Sequence, residues 1–222
     1  MTARILDGSK MGAEIRAEVA AQVRALAATG IRPGLAVVLA GNHPASQVYV
    51  RGKVKSSEEV GLYSEKHTPP DSVSTEELLA LIAGLNGREE IDGILVQLPL
   101  PSQVDAKRVL LAVDPAKDVD GFHPMNVGNL STQRPGLVPC TPAGVMEILK
   151  RSGVPVSGQE AVVVGRSDIV GKPVAMLLLN QNATVTVCHS KTHDLPGVCR
   201  RVYPIQDDIP ILLIDAATID VT

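Results

Sequence analysis

The sequence predicts an α/β protein of two domains, a substrate domain followed by a Rossmann-like nucleotide-binding domain. Strand-like runs at 35–39 and 94–98 are bounded by glycine or proline, as buried strands commonly are. Segments with apolar residues at helical spacing separate these runs, which indicates a mostly parallel sheet with helices on both faces. A strand, a glycine turn, a helix and another strand then follow from residue 161. This second pattern is the opening half of a nucleotide-binding fold.

The composition limits the class of protein and its partners. A chain of 222 residues that is 45% hydrophobic and 20% charged can bury a sizeable core. A net charge of -3 and an aromatic content of 2% argue against nucleic acid as a partner. No stretch is apolar for long enough to be a signal peptide or to span a bilayer. We therefore predict a cytoplasmic protein with no membrane partner.

Cysteine and histidine give no sign of a metal site. The three cysteines are odd in number and lack the paired spacing of a zinc site, and the five histidines show no ligand spacing either. We predict free or buried thiols in a reducing compartment and no bound metal.

The first domain is predicted to cover residues 1–139 and to begin with a helix. Ser9 is a suitable amino-terminal cap, and apolar residues recur at helical spacing from Met11 until Gly30 ends the helix. We expect this helix to cover the sheet that contains the strand at 35–39.

A second helix is predicted at 44–60, because Pro44 suits a first helical turn and Gly61 supplies a stop. A weaker strand follows at 63–67, and a capping box at 74–77 opens a third helix.

The strand at 94–98 and a short helix at 105–113 come next. Residues 114–139 show little periodicity, so we predict no regular structure there.

The second domain is predicted to cover residues 140–222. Thr141 is a suitable cap for its first helix, with Pro142 at the first helical position and Gly153 at the end. The nucleotide-binding pattern follows, with a strand at 161–165, a turn to Lys172, a helix at 173–180 and a strand at 183–187.

The helix at 44–60 carries the first candidate catalytic residues. Tyr49 and Lys53 are four residues apart, so their side chains share one face of the helix. A phenol beside an ammonium group could hold and protonate a flat heterocycle. On spacing alone, the alternative is an amphipathic helix with a solvated lysine above a half-buried tyrosine.

Two further polar residues are candidates for the same site. Gln97 lies at the carboxyl end of a buried strand, the edge at which open α/β sheets bind ligands. Asp120 lies in a turn beside Gly121 and could bind a guanidine-like face of a heterocycle. The alternative for each is local turn chemistry, in which the side chain bonds nearby backbone.

The turn at 165–171 is the candidate cofactor site. Gly165 ends a buried strand where backbone must approach a phosphate closely, and Gly171 lies where the next helix must pack tightly. Arg166 adds a fixed positive charge. Residues 188–191 lack the acidic residue typical of NAD-specific folds, so a phosphorylated ribose fits better. The alternative is a tight strand-to-helix turn with a solvated arginine.

Six short blocks occur in order along the chain: SQVYV at 46–50 with Lys53, VQLPLP at 96–101, KDVDG at 117–121, PCTP at 139–142, GRS at 165–167 with VGKP at 170–173, and CHSKT at 188–192. They resemble the signature blocks of the methylenetetrahydrofolate dehydrogenase/methenyltetrahydrofolate cyclohydrolase family. The resemblance covers about residues 2–200 and implies a bifunctional NADP-dependent enzyme of one-carbon metabolism and purine biosynthesis, usually a homodimer.

The resemblance also implies roles for individual residues. Lys53 is the catalytic acid/base, Tyr49 orients or stacks on the folate, Gln97 tunes the lysine and Asp120 holds the pterin ring.

In the second domain the resemblance implies a cofactor site. Gly165, Arg166, Ser167 and Ser190 form it, and Arg166 and Ser190 hold the 2′-phosphate of NADP.

The last residues depart from the family's pattern. Residues 202–222 match nothing in it, although 211–214 could form one strand, and part of the family's carboxyl-terminal region is missing. We therefore expect poor NADP binding, little dehydrogenase activity and a lower stability than a complete family-like segment would give.

Two other functions stay open. One is an impaired relative that binds folate or a partner subunit without catalysing. The other, without the resemblance, is a different two-domain dehydrogenase acting on shikimate-like acids.

Overall fold

The computed structural model of the protein describes residues 5–202 and shows a mixed α/β fold with parallel sheets. The chain divides into two compact units, of which the first is Ser9–Asn126 and the second contains the described residues from Val127 onward. Within residues 5–202, no helix is long and apolar enough to cross a membrane.

The first unit is a three-stranded parallel sheet in the order β2-β1-β3, with helices on both faces. Its elements in chain order are α1 (Gly8–Ala27), β1 (Gly34–Val38), α2 (Pro44–Val60), β2 (Tyr63–His67), α3 (Thr75–Asn86), β3 (Gly93–Val96) and α4 (Ala106–Ala112). Helix α5 (Pro124–Ser131) follows and crosses the division between the units.

Strand β1 is buried on both faces, as its apolar run predicts. Ala36 and Val38 pack in the cluster that contains the apolar residues of α3 and α4, whereas Val37 packs with Val50 of α2. Ala36, Val37 and Val38 each have an exposed fraction of 0%. Because successive residues of a strand point to opposite faces, α2 covers one face of the sheet, and α3 and α4 cover the other.

The second unit contains a two-stranded parallel sheet among its described residues, with Val164 of β4 opposite Cys188 of β5. Its core is formed by Leu149, Val163, Val174 and Leu178, with Ala183. The elements are α6 (Cys140–Arg151), β4 (Glu160–Val164), α7 (Gly171–Asn180), β5 (Thr184–Cys188) and α8 (Leu195–Val202).

Several sequence predictions are confirmed. Helix α2 has the predicted bounds, and Gly61 ends it in the left-handed conformation with φ 93°. The capping box of α3 is present, since Ser74 and Glu77 exchange hydrogen bonds with each other's backbone N–H groups. The predicted strand at 63–67 coincides with β2, and the other strands are within two residues of their predicted limits.

Two other predicted caps, Ser9 and Thr141, are wrong. Helix α1 begins at Gly8, so Ser9 lies inside its first turn. Helix α6 begins at Cys140 after Pro139, so Thr141 also lies inside the helix, and the side chain at the cap position makes no hydrogen bond. Pro142 is tolerated there because the first turn needs no hydrogen bond from its nitrogen.

Helix α1 does not cover the sheet as expected. Val23 is its one buried residue, and Leu26 is 41% exposed. The sheet's two faces are already occupied by α2 on one side and by α3 and α4 on the other.

Two helices were not predicted, α5 and α8. The buried positions of α5 include Asn126 and Leu130, so one of two residues on its inner face is polar and the apolar period is hidden. The strand predicted at 211–214 lies outside the described residues.

A polar network fastens the edge strand β2 to the segment after α3. Both carboxylate oxygens of Glu65 accept from Arg88, at 2.6 and 3.0 Å, and Tyr63 Oη donates to the same carboxylate at 2.7 Å. His67 Nε2 lies 2.7 Å from Glu65 Oε1. Burial raises the pKa of the Glu65 carboxyl, but hydrogen bonds from Arg88, His67 and Tyr63 outweigh it and lower the pKa from 4.5 to about 2.

We expect Glu65→Gln to reduce the free energy of unfolding at pH 7 by roughly 1–3 kcal/mol, because Arg88 loses its charged acceptor. The depressed pKa means that Glu65 stabilises the fold above pH 4.5 and that this stabilisation is lost as the pH falls towards 2. Urea unfolding at pH 7 and at about pH 3 measures both effects. Glu90→Gln, which changes a more exposed partner of Arg88, is the matched control. A variant Glu65→Gln as stable as the unmodified protein at pH 7 would contradict this assignment.

Candidate active site and nucleotide-binding turn

The first candidate site lies at the carboxyl edge of the sheet in the first unit, where β1 and β3 are neighbours. The chain leaves β1 into α2 on one face, and the helices on either side of β3 pack on the opposite face. The segments that leave the two strands therefore diverge to opposite faces and open a crevice, the position at which open α/β sheets bind ligands.

Lys53 and Gln97 meet at this crevice. Lys53 Nζ donates to Gln97 Oε1 at 3.3 Å, and both side chains are half-buried. Gln97 Nε2 donates in turn to the carbonyl oxygen of Leu98 at 2.8 Å. Because its nitrogen is held by backbone, the Gln97 amide presents its oxygen to the lysine. The structure thus brings together two of the residues predicted from the sequence, and their role in a site stays a prediction.

Helix α2 is fixed so that Lys53 points to the crevice. The ring of His43 accepts from the backbone N–H of Ser46 at 3.4 Å and caps the amino terminus of the helix. Val50 and Ser57 are buried on the inner face, and Ser57 Oγ donates to the carbonyl oxygen of Lys53 at 2.9 Å. These contacts set the rotation of the helix about its axis.

Tyr49 lies on the same side of α2 as Lys53 but is 68% exposed. The two residues line an open depression of about 420 Å³ with Val48, Gly52 and Ser56. An exposed phenol ring beside a half-buried ammonium group is available to stack on a planar ligand.

A larger depression of about 540 Å³ lies elsewhere on α2 and contains none of the predicted site residues. Arg51, Lys55 and Glu58 are among its lining residues. We place the candidate site beside the smaller depression, because Lys53 lines it and also donates to Gln97.

Asp120 is a half-buried carboxylate near Lys53. Burial raises the pKa of the Asp120 carboxyl, the charge of Lys53 opposes that rise, and the charge of Asp118 adds to it. Among the described residues, the Asp120 side chain has no hydrogen-bond partner. Its carboxylate is therefore available to a ligand that carries hydrogen-bond donors.

The turn bond considered for Asp120 is made by Asp118, which the sequence analysis did not single out. Asp118 is 5% exposed, and its Oδ2 accepts from the backbone N–H of His123 at 2.8 Å and from Asn126 Nδ2 at 3.0 Å. Asp118 also forms a β-bridge with Ile94 of β3. The two aspartates are separated only by Val119, so no local pattern distinguishes the one that is bonded within the protein.

The second candidate site is the turn between β4 and α7. Gly165 has φ 132° and donates its N–H to the carbonyl oxygen of Cys188 at 2.8 Å. A Cβ on Gly171 would lie 2.6 Å from the carbonyl oxygen of Gly165, so only glycine fits there. The tight packing predicted at Gly171 agrees with this geometry. The close approach of a phosphate to Gly165 stays a prediction.

Arg166 and Ser190 follow the ends of neighbouring strands. Because Val164 and Cys188 are register partners, the segments that carry Arg166 and Ser190 leave the sheet at the same edge. Both residues are exposed. The segment after β5 is a compact turn, in which His189 N–H donates to Thr192 Oγ1 at 2.8 Å.

The predicted site residues thus fall into two sets. Lys53, Tyr49, Gln97 and Asp120 lie in the first unit, and Gly165, Arg166, Ser167 and Ser190 lie in the second. Within residues 5–202, no group of three or more His, Cys, Asp or Glu side chains is arranged to hold a metal ion.

Both units match family models. Residues 6–120 match the catalytic domain of tetrahydrofolate dehydrogenase/cyclohydrolase, and residues 139–205 match the NAD(P)-binding domain of the same family.

Curated relatives are similar in sequence over most of this chain. The bifunctional protein FolD of Koribacter versatilis is 73% identical over 201 residues, which are 90% of this chain and 66% of the relative. The corresponding protein of Solibacter usitatus is 66% identical over 197 residues, 89% of this chain and 64% of the relative. The chain spans about two thirds of the length of these curated relatives.

Solved structures give the same result. The bifunctional FolD enzyme of Campylobacter jejuni superposes with a TM-score of 0.88 at 45% identity, over 90% of this chain and 71% of that one. The Trypanosoma brucei enzyme, solved with NADP cofactor and an inhibitor, gives 0.86 at 40% identity, over 90% of this chain and 70% of that one. Together with the match of residues 6–120 to the catalytic-domain model, these likenesses show that the chain belongs to the tetrahydrofolate dehydrogenase/cyclohydrolase family.

Proposed function

We propose that the protein oxidises 5,10-methylenetetrahydrofolate to 5,10-methenyltetrahydrofolate with NADP and hydrolyses the product to 10-formyltetrahydrofolate. The observation that carries the proposal is the contact of Lys53 with Gln97, beside the carboxylate of Asp120, at the crevice between β1 and β3. Membership of the family and its match over both units support the same reaction.

The oxidation needs alignment more than acid or base. Loss of hydride from a carbon between two nitrogens leaves a resonance-stabilised cation, so no strong base is required. The protein's contribution is to hold the folate in register with the hydride acceptor. Tyr49 is suited to this task, since its exposed ring can stack on the flat part of the substrate.

The hydrolysis needs proton transfer, and Lys53 is the residue placed to provide it. Water must be activated at the methenyl carbon, and a proton must return to a ring nitrogen. Gln97 Oε1 holds the Lys53 ammonium group in the crevice. Lys53 is therefore needed more for the hydrolysis than for the hydride step.

Asp120 is proposed to bind the pterin ring. A ring edge with an amino group and an adjacent N–H matches a carboxylate that accepts two hydrogen bonds. The side chain is half-buried and has no bond to another described residue, so pairing with the ring would compensate its desolvation.

The residues after β4 and β5 fit NADP, which supplies a two-electron hydride acceptor when bound. Exposed Arg166 and Ser190 leave the same edge of the sheet, and no acidic residue lies at 188–192 to repel a 2′-phosphate. We propose that Arg166 and Ser190 hold this phosphate, and that Gly165 and Ser167 shape the turn against the cofactor.

The remaining assignments rest on the family. We propose a folate-binding catalytic domain at 1–139 and an NADP-binding domain at 140–222, a cytoplasmic location and a homodimer. An impaired relative that only binds is not favoured, since both of the family's domain models match the chain.

A coupled assay on the purified chain tests the proposal. NADP-dependent formation of the methenyl absorbance band measures the oxidation, and decay of added methenyltetrahydrofolate measures the hydrolysis. A chain that binds folate but shows neither activity would contradict the proposed function and support a binding role.

We expect Lys53→Met to lower the rate of methenyl hydrolysis by about 100-fold or more, because it removes the proton donor and acceptor while keeping side-chain length. Folate affinity should change little. Lys55→Met is the matched control, since Lys55 lies on the exposed side of α2 and pairs with Glu59 at 3.8 Å. Hydrolysis at the unmodified rate in Lys53→Met would show that Lys53 is not the acid/base.

We expect Asp118→Ala to lower the hydrolysis rate by about 10-fold or more, because His123 N–H and Asn126 lose the acceptor that holds the turn carrying Asp120. Asp118→Asn keeps an acceptor oxygen and should retain most activity. It also removes a charge that raises the pKa of Asp120, so the acid limb of the rate profile should move to lower pH. Unchanged hydrolysis in Asp118→Ala would rule out this positioning role.

We expect the unmodified chain to prefer NADP over NAD and Arg166→Ala to weaken the preference by roughly 10- to 150-fold, the equivalent of about 1.5–3 kcal/mol for a charge-assisted hydrogen bond. Calorimetric titration with each nucleotide gives the ratio. Lys172→Ala is the control, because Lys172 lies in the same segment but pairs with Asp168. Equal affinities of the unmodified chain for the two nucleotides would refute the prediction.

A further inference from the structure

The amino terminus of α7 has no free N–H groups in its first turn. The N–H of Gly171 donates to Ser167 Oγ at 3.2 Å, and the N–H of Lys172 donates to the carbonyl oxygen of Ser167 at 3.0 Å. The N–H of Val170, at the cap position, donates to Ser167 Oγ at 3.2 Å, and Pro173 has no N–H. The four positions at which this helix would leave a donor unpaired, 170–173, are thus accounted for within the chain.

Ser167 is the residue that closes this helix end. Its hydroxyl oxygen accepts from the N–H groups of Val170 and Gly171, both at 3.2 Å. Its carbonyl oxygen accepts from the N–H of Lys172. One residue thus occupies three N–H groups on the segment 170–172, the position at which a Rossmann-like fold usually binds a pyrophosphate.

We propose that Ser167 is a positioning residue rather than a phosphate ligand, and that this domain holds the cofactor's phosphates with side chains instead of helix N–H groups. The second half of this proposal rests on the proposed function, since it takes NADP as the cofactor. The first half concerns the chain alone.

The neighbouring residues explain why the turn can close on itself. Gly171 lies against the backbone of Gly165 and Arg166, with no room for a Cβ, so the start of α7 approaches the end of β4 closely. That approach brings Ser167 within reach of the N–H groups of Val170 and Gly171. Pro173 removes the one donor that Ser167 does not reach and fixes a helical φ.

Affinity for the cofactor's phosphates would then come from side chains instead of from N–H groups at the start of α7. With the helix end closed, the exposed positive and hydroxyl groups that follow the two strands in the described residues include the side chains of Arg166 after β4 and of Ser190 and Lys191 after β5. Ser167 then acts through the turn, because the path that it fixes determines where Arg166 leaves the sheet.

The first test needs no cofactor. Ser167→Ala should lower the melting temperature by about 2–6 °C, as loss of a helix cap does in a chain of this size, and should speed amide hydrogen exchange at Val170 and Gly171. Ser167→Thr keeps the hydroxyl and should restore both. Unchanged melting and unchanged exchange in Ser167→Ala would overturn the assignment of Ser167 as the cap.

The second test measures NADP and NAD affinities of the same variants by calorimetry. If Ser167 acts through the turn, Ser167→Ala should weaken both nucleotides by a similar factor of about 5- to 30-fold, with rescue by Ser167→Thr. The NADP to NAD ratio, which Arg166 sets, should stay the same. Weaker nucleotide binding with no change in melting or exchange would show a direct phosphate contact and overturn the proposal.

The two proposals fail differently. An unmodified chain that binds neither nucleotide contradicts the proposed function and, with it, the cofactor half of this inference. The melting and exchange measurements still decide whether Ser167 closes α7.

Discussion

The burial of β1 between two helical layers is the constraint on which the first unit depends. Three consecutive residues, Ala36, Val37 and Val38, are fully buried, which is possible only if both faces of the strand are covered. Helix α2 follows β1 directly and covers one face, so α3 and α4 must cover the other. This opposite placement opens the crevice at the strand ends. The same apolar contacts that stabilise the sheet therefore determine where Lys53 and Gln97 meet.

Within that crevice, each polar group is held by a different part of the chain. Lys53 comes from α2, Gln97 from the end of β3, and Asp120 from a turn fastened by Asp118. Gln97 is neutral, so it can orient the lysine without neutralising it. Asp120 brings a negative charge close to the lysine but is left without a hydrogen bond to a described residue. A desolvated carboxylate with no such bond costs stability, and that cost is typical of a ligand site.

The sequence predicts most of the fold because its local signals agree with the tertiary contacts. The bounds of α2 follow from Pro44 and Gly61, and the buried strands follow from apolar runs that packing on both faces requires. The signals fail where a polar residue lies on a buried face, as Asn126 does in α5. They also fail where a helix begins before its predicted cap residue, as α6 does before Thr141. Both features depend on contacts between residues distant in sequence, which local patterns do not contain.

The sequence could predict which polar residues lie close together but not all of their bonds. Spacing on a helix and position at a strand end were enough to place Tyr49 and Lys53 on one side of α2 and to place Lys53 beside Gln97. They could not separate Asp118 from Asp120, because which carboxylate is bonded depends on Asn126, on a helix that the sequence did not reveal.

The two units show two ways of preparing a ligand site on a parallel sheet. In the first, the backbone N–H groups of Leu39 and Gln97, just after β1 and β3, donate to neighbouring strands, and the side chains of Lys53 and Gln97 meet at the crevice. In the second, the turn after β4 would be expected to offer backbone donors, yet Ser167 occupies them. Under the proposed function, recognition in both units falls to side chains, and a side chain can be exchanged without altering the path of the backbone. Selectivity for a phosphorylated ribose would then reside in Arg166, and the turn that presents it would be held by Ser167.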